Sequence, residues 1–416
     1  MTLKQYNPFY DGPEYKERLR KDYRIPTITL KQIHEAIPKD AYEKSTLKGL
    51  SYVARDIFFS LLFYKLATYI DPFADSLEQG HWVRFGVKWS LWSLYWYSAG
   101  IAWAGMWTLG HEAGHGVLAN QSWLNHAVGF TLHSFLFVPY FSWRHSHHLH
   151  HKSTGSIERD ENFIPSTRSD LKLRDPRNVT KQDYREMFEE TPLFSLLRIF
   201  FMQAVGMQAY FTYNALGNPM YPAWTNHYSP YSALFRKEQR WQIFLSDLGL
   251  FAMAGVVYTW IQWTSLATIV KFYTIPYLLA NHWIVMLTYL HHTDPTMPHF
   301  RKDAWTFVRG AITTVDRPLL GPLGRFFLHN VSHDHVAHHL VSSIPHYNGP
   351  RVTEALKKVL GEDYNYDSSN TFRALWRSFN ECIFIEDEGD VVFYNDKTGM
   401  PKRTLEGTEW PVAPRD

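Results

Sequence analysis

Histidine marks the places where this chain could do chemistry. Of the 22 histidines, nine lie between His111 and His151 and nine more between His291 and His346. The first string is His111-Glu112-Ala113-Gly114-His115, and on a helix its two histidines, four residues apart, share a face. It also matches H-E-x-x-H, where two histidines hold zinc and the glutamate is a base, so alone it is ambiguous. The second string is His147-His148-Leu149-His150-His151. Its H-x-x-H-H subset, His147, His150 and His151, falls on one helix face. His145 and His148 fall on other faces and, with His126 and His133, read as ordinary polar side chains. The third string, His335-Val336-Ala337-His338-His339, repeats the spacing. Eight imidazoles exceed the three or four protein ligands of a zinc site and suffice for two metal ions. Imidazole suits Zn, Cu, Fe and Ni, so ligand type alone leaves the metal open. Glu112 reads as a carboxylate orienting a ligand histidine rather than as a base.

The elements that must hold these strings are apolar helices. Four segments approach the roughly 20 residues a membrane-spanning helix needs: about 50–70, 88–110, 241–262 and 272–291. The first is the weakest, interrupted by Arg55, Asp56 and Lys65. Short linkers join them into two hairpins. Ten Lys and Arg lie between Lys4 and Lys48, and the positive-inside rule then puts both termini in the cytosol. Two further apolar runs, 127–141 and 194–216, read as helices lying in the interface. If either crossed alone, the histidine strings would land on opposite membrane faces. The expected fold is all-α and membrane-embedded, with four transmembrane helices, interfacial helices and a cytosolic histidine-rich cap. Residues 1–49 form a polar cytosolic arm, 50–396 the membrane domain and 397–416 a C-terminal tail.

Composition agrees. Aromatics make up 17% of the residues, with 16 Trp and 25 Tyr, residues that concentrate at membrane interfaces. The mean hydropathy of -0.30 averages polar arms with apolar runs. Cys382 alone excludes a disulfide framework. A net charge of +2 gives no ground for nucleic-acid binding. The N-terminus lacks the apolar stretch of a signal peptide.

At the histidine strings the sequence resembles the membrane fatty-acid desaturases, specifically the delta-12 (oleate-type) branch. The resemblance runs from about Leu50 to Tyr394. Its motifs are HEAGH at 111–115, SWRHSHHLHHKSTGSIERDENFIP at 142–165, NHWIVMLTYLHHTDPTMPH at 281–299, TTVDR at 313–317 and HVAHHLVSSIPHYN at 335–348. It implies an endoplasmic-reticulum enzyme with four spans and a non-haem diiron centre. O2 and two electrons would be used to place a double bond in an acyl-lipid or acyl-CoA chain. It implies cytochrome b5 and its reductase as electron donors, since no Gly-rich dinucleotide fingerprint occurs. It also implies a further histidine ligand between the second and third strings, best matched by His292. With the strings, the expected metal set is His111, His115, His147, His150, His151, His292, His335, His338 and His339. A bent apolar tunnel would hold the acyl chain, with run 127–141 expected to help line it. Two departures stand out. The family's first string usually carries Cys where this chain has Ala113, which bears on regiochemistry, and His291 and His333 add candidate ligands the spacing does not rank. The alternatives are a delta-15 desaturase, hydroxylase, conjugase or acetylenase on the same centre, a membrane zinc protease, and a non-catalytic receptor.

Overall fold

The computed structural model describes residues 5, 7–411, 413 and 414. Among these, helices dominate. The principal ones are α1 (Thr46–Ala67), α2 (His81–Gly114), α3 (Ser122–Phe135), α4 (Tyr140–Ser153), α5 (Pro192–Tyr213), α6 (Arg240–Trp263), α7 (Ile275–His292), α8 (His335–Leu340) and α9 (Thr371–Glu381). Among the described residues one small sheet occurs, β1 (Pro298–Phe300) antiparallel to β2 (Val391–Phe393), with His299 opposite Val392.

Local sequence explains where the long helices begin and end. Ser45 caps α1 by accepting the Lys48 N–H (3.3 Å), and Thr191 caps α5 by accepting that of Phe194 (3.3 Å). Such caps satisfy donors that a helix leaves without partners. Pro192 follows at the first helical position, where its fixed φ fits and its missing N–H costs nothing. Asn214, left-handed at φ 56°, closes α5.

Helices α1, α2, α6 and α7 occupy the four segments expected to span a membrane. By length and apolar composition, three stretches are able to cross a bilayer: Thr46–Ser76, Pro192–Tyr213 and Lys237–Trp263. Two of these hold the first and third expected spans, and the other holds the run assigned to the interface. Helices α2 and α7 differ because they form the centre. From Ala99 to Gly114 every residue of α2 is buried; its Trp, Gly and His pack against protein, so aliphatic content is low there. Helix α2 packs against α1, α3 and α7, α5 runs beside α7, and α6 meets α3 and α4. Two glycines of α2 permit close approaches. A Cβ on Gly105 would stand 2.2 Å from the Phe327 carbonyl oxygen, and one on Gly110 would stand 2.3 Å from the His133 ring.

The run 127–141 departs from expectation. It breaks at Phe137, whose φ is 52°, into the end of α3 and the start of α4. Pro139 is the N-cap of α4. The run packs against α2 and α6, and none of it lines the cavity described below. The N-terminal arm and the C-terminal tail meet on the cap, where Tyr23 bridges Leu405.

Candidate metal centre

All nine expected histidines converge. His111 and His115 come from the last turn of α2, His147, His150 and His151 from α4, His292 from the last residue of α7, and His335, His338 and His339 from α8. They divide into two groups. Ring nitrogens of His111, His115, His147, His151 and His338 all lie within 4.8 Å of one another, as do those of His150, His292 and His339. His335 joins the second group, its Nε2 3.1 Å from His292 Nε2. The groups touch where the His151 and His339 rings stack at 4.1 Å. The division cuts across the sequence strings. His147 and His151 are one turn apart and serve the first group, whereas His150 points from the same helix into the second.

Ring orientation follows from the partners outside the cluster. His150 Nδ1 lies 2.6 Å from Asp160 Oδ1. An ionised carboxylate only accepts, so Nδ1 carries the proton and Nε2 presents a lone pair to the cluster. For His339 the argument runs through a hydroxyl. Thr154 Oγ1 donates to the His150 carbonyl (2.7 Å) and therefore accepts from His339 Nδ1–H (3.1 Å). The Nε2 atoms of His150, His338 and His339 are buried with no hydrogen-bond partner. Buried polar atoms are nearly always partnered, so these lone pairs fit a metal. Burial, then repulsion from neighbouring imidazoles, pushes His338 down to about 3 and His151 and His339 well below the usual histidine value. These three imidazoles are thus neutral, the form that ligates.

Glu112 lies 3.3 Å from His111 Nδ1 and accepts the backbone N–H of His346 (3.0 Å). His145 and His148 fall outside the cluster, as their spacing implied. His145 bonds Gln242 and Gln239, and His148 Nε2 bonds the Gly114 carbonyl (3.0 Å). His133 meets the Trp107 carbonyl and His126 the Tyr140 hydroxyl. His291 Nδ1 donates to the Val315 carbonyl (2.5 Å), and His333 joins neither group.

Sequence reasoning gave no role to Asp160, Thr154 or Phe163. Asp160 lies in the quoted S-I-E-R-D string, and a carboxylate ten residues past His150 was the available signal. Phe163, with φ 58°, stacks on His292 at 5.0 Å.

An apolar cavity of about 400 Å³ reaches the cluster between α5 and α7, within the range of small-molecule sites. Met202, Gly206, Met207, Ile284 and Leu287 line its sides, and His111, His147, His150, His292 and His335 border it. Two groups of buried imidazoles beside an apolar cavity are able to hold metal ions next to an apolar ligand.

Comparison with known proteins narrows this. Residues 89–370 match the fatty acid desaturase family. The chain is 42% identical over 385 residues to a Delta(12) fatty acid desaturase of Mortierella alpina, covering 91% of this chain and 93% of that one. It is 37% identical over 383 residues to an oleoyl-12-hydroxylase of Ricinus communis, covering 91% and 93%. It is 34% identical over 398 residues to an omega-6 fatty acid desaturase, endoplasmic reticulum, of Brassica juncea, covering 94% and 98%. The chain belongs to the fatty acid desaturase family and is an oxidoreductase.

Proposed function

We propose that this protein places a cis double bond at the delta-12 position of an oleoyl chain, using O2, two electrons and two iron ions held by the nine histidines. The observation that carries the reading is the pair of adjoining imidazole groups bordering one apolar cavity. A five-member and a four-member group each have enough donors for one ion, and no single zinc takes nine. Iron bound there supplies the O2 activation that removing hydrogen from an unactivated carbon chain requires.

The protein's own residues do the rest. Asp160, Thr154 and Glu112 hold ligand rings in place. The cavity wall strips water from the acyl chain and fixes which carbons face His111, His147, His150, His292 and His335. Four lining residues, Phe201, Val205, Tyr213 and Leu216, are also exposed on the outer surface, so the mouth admits a chain from surrounding lipid. Helix α2 has 34 residues and is about 51 Å long at 1.5 Å per residue. It can cross a hydrocarbon core of about 30 Å and still carry His111 beyond it. With α1, α6 and α7 as the other spans, α5 lies in the interface and both termini face the cytosol of an endoplasmic-reticulum membrane. Electrons then arrive from cytochrome b5 and its reductase.

Expression in a host rich in oleate, with fatty-acid analysis, tests this. Linoleate is expected. A 12-hydroxy product would move the assignment to the hydroxylase branch, represented among the relatives, and a new bond at another position would refute delta-12.

A further inference from the structure

Helix α7 ends with carbonyls that its own residues cannot satisfy, and α8 begins with N–H groups in the same position. One tripeptide outside both helices meets both needs. Val315 donates its N–H to the His291 carbonyl (3.1 Å), and Arg317 Nε donates to that of Leu290 (2.9 Å). Between them, Asp316 turns the other way, and its Oδ1 accepts the N–H of Val336 in α8 (2.8 Å).

The tripeptide is itself rigidly held. The Tyr364 hydroxyl donates to Asp316 Oδ2, and the Asp316 backbone pairs with Asn365 and Asp367 (both 3.0 Å). Arg317 extends one guanidinium nitrogen to Asp294 (2.8 Å) and another to Asp367. Its backbone exchanges hydrogen bonds with Ser332 (2.9 and 2.7 Å). Asp316 is 0% exposed and Arg317 4%, so no water substitutes for these contacts.

We infer that Asp316 and Arg317 are positioning residues that lock the end of α7 to the start of α8 and so set the four-imidazole group. This rests on the two-metal reading above. The two groups depend on the lock unequally. His292, His335 and His339, three of the four members of that group, sit on the locked helices. The five-imidazole group takes only His338 from them and keeps four other members on α2 and α4. Loosening the lock empties one site before the other.

Iron per chain and iron(II) affinity, measured on purified full-length protein, test the inference. Asp316→Asn replaces one of the two accepting oxygens with a donor amide, so that either the Val336 N–H or the Tyr364 hydroxyl loses its acceptor, and Arg317→Lys removes the forked donor. Arg377→Lys is the control. Arg377 belongs to the same buried ion cluster, bonding Asp367 and Asp11 (both 2.6 Å), but satisfies no end group of α7 or α8. Asp316→Asn and Arg317→Lys are expected to retain one iron and to weaken the other site about 10- to 100-fold, the usual effect of losing support behind a ligand. Arg377→Lys is expected to lower the melting temperature yet keep both irons. Loss of both irons in step, or equal iron loss in Arg377→Lys, would overturn the inference. Should Arg317→Lys or Asp316→Asn fail to accumulate, Tyr364→Phe removes only the hydroxyl bracing Asp316. It should weaken one site several-fold, and unchanged affinity at both sites would refute the lock. Wild-type protein holding one iron would instead refute the two-metal reading itself.

Discussion

Asp160 offers the sharpest test of how the ligands are held. Its carboxylate accepts three N–H groups: His150 Nδ1 (2.6 Å) and Asn162 (3.0 Å) on Oδ1, and Gly155 (2.9 Å) on Oδ2. Asp160→Asn is nearly isosteric but has one accepting oxygen. Its amide nitrogen must face either Gly155 or His150 and Asn162, and all of these are donors. A buried donor without an acceptor costs about 1–3 kcal/mol, which at 1.4 kcal/mol per tenfold is roughly a 5- to 150-fold change. The orientation that keeps His150 bonded still removes the charge that fixes its Nδ1–H form. The expected result is therefore an iron(II) affinity about 10- to 100-fold weaker, with protein level and helix content preserved. Titrating metal-free protein and measuring desaturation in isolated membranes would check it. Asp170→Asn, an exposed residue of the same connecting segment that accepts only the Thr167 N–H (2.8 Å), is the control. Wild-type affinity in Asp160→Asn would refute the claim that Asp160 orients His150.

Other expectations follow from the same geometry. His292→Ala should abolish activity and release iron, while His291→Ala, which removes a ring bonded to Val315 rather than a member of either group, should retain part of both; activity in these variants, in the reverse order, would make His291 the ligand. Gly206→Trp should block the cavity without loss of iron, because the glycine lines it and a Cβ there would already stand 3.4 Å from Val285; unaltered turnover of oleoyl chains would show that they bind elsewhere. Tags after Gly80, near Arg236 and at the C-terminus, probed in sealed membranes, should leave only the first protected. Metal-free protein should be most stable above pH 6.5 and lose stability as pH falls below it. Unfolded imidazoles take up protons there, while His338, at about 3 in the fold, does not; a melting temperature rising between pH 7 and pH 5 would contradict neutral imidazoles.

How much of this was legible beforehand depended on whether a feature is local. Spacing along one helix is local, so the faces carrying His111 and His115, or excluding His145 and His148, could be read directly. Helix positions were legible for the same reason, since α1, α2, α6 and α7 each arise from a contiguous apolar segment. The break at Phe137 was not legible, because a left-handed phenylalanine gives no signal in an apolar run and Pro139 lies two residues later. Nor were the supports of the ligand rings. Asp160 meets His150 through a loop, Thr154 meets His339 across 185 residues, and only the folded cap brings them together.

The division of the histidine strings between two groups has a further consequence. In an H-x-x-H-H triplet on a helix, the first and last residues lie four apart and nearly eclipse, while the middle one is offset by about 60° at 100° per residue. Helix α4 therefore faces two ways at once, His147 and His151 to one group and His150 to the other, and α8 does the same with His338 against His335 and His339. Two helices that each straddle the groups fix the separation between them more firmly than two helices that each served one. The cavity meets this assembly from a single side, touching His111 and His147 of one group and His150, His292 and His335 of the other. On the proposed reading, an acyl chain held there would lie across both groups, and which carbons reacted would depend on how far the chain ran from a mouth near Phe201 and Leu216 before it reached His292. The relatives at similar identity bear names for different outcomes, a desaturase and a hydroxylase, as expected if the histidines supply a common centre and the residues around the cavity decide what is made.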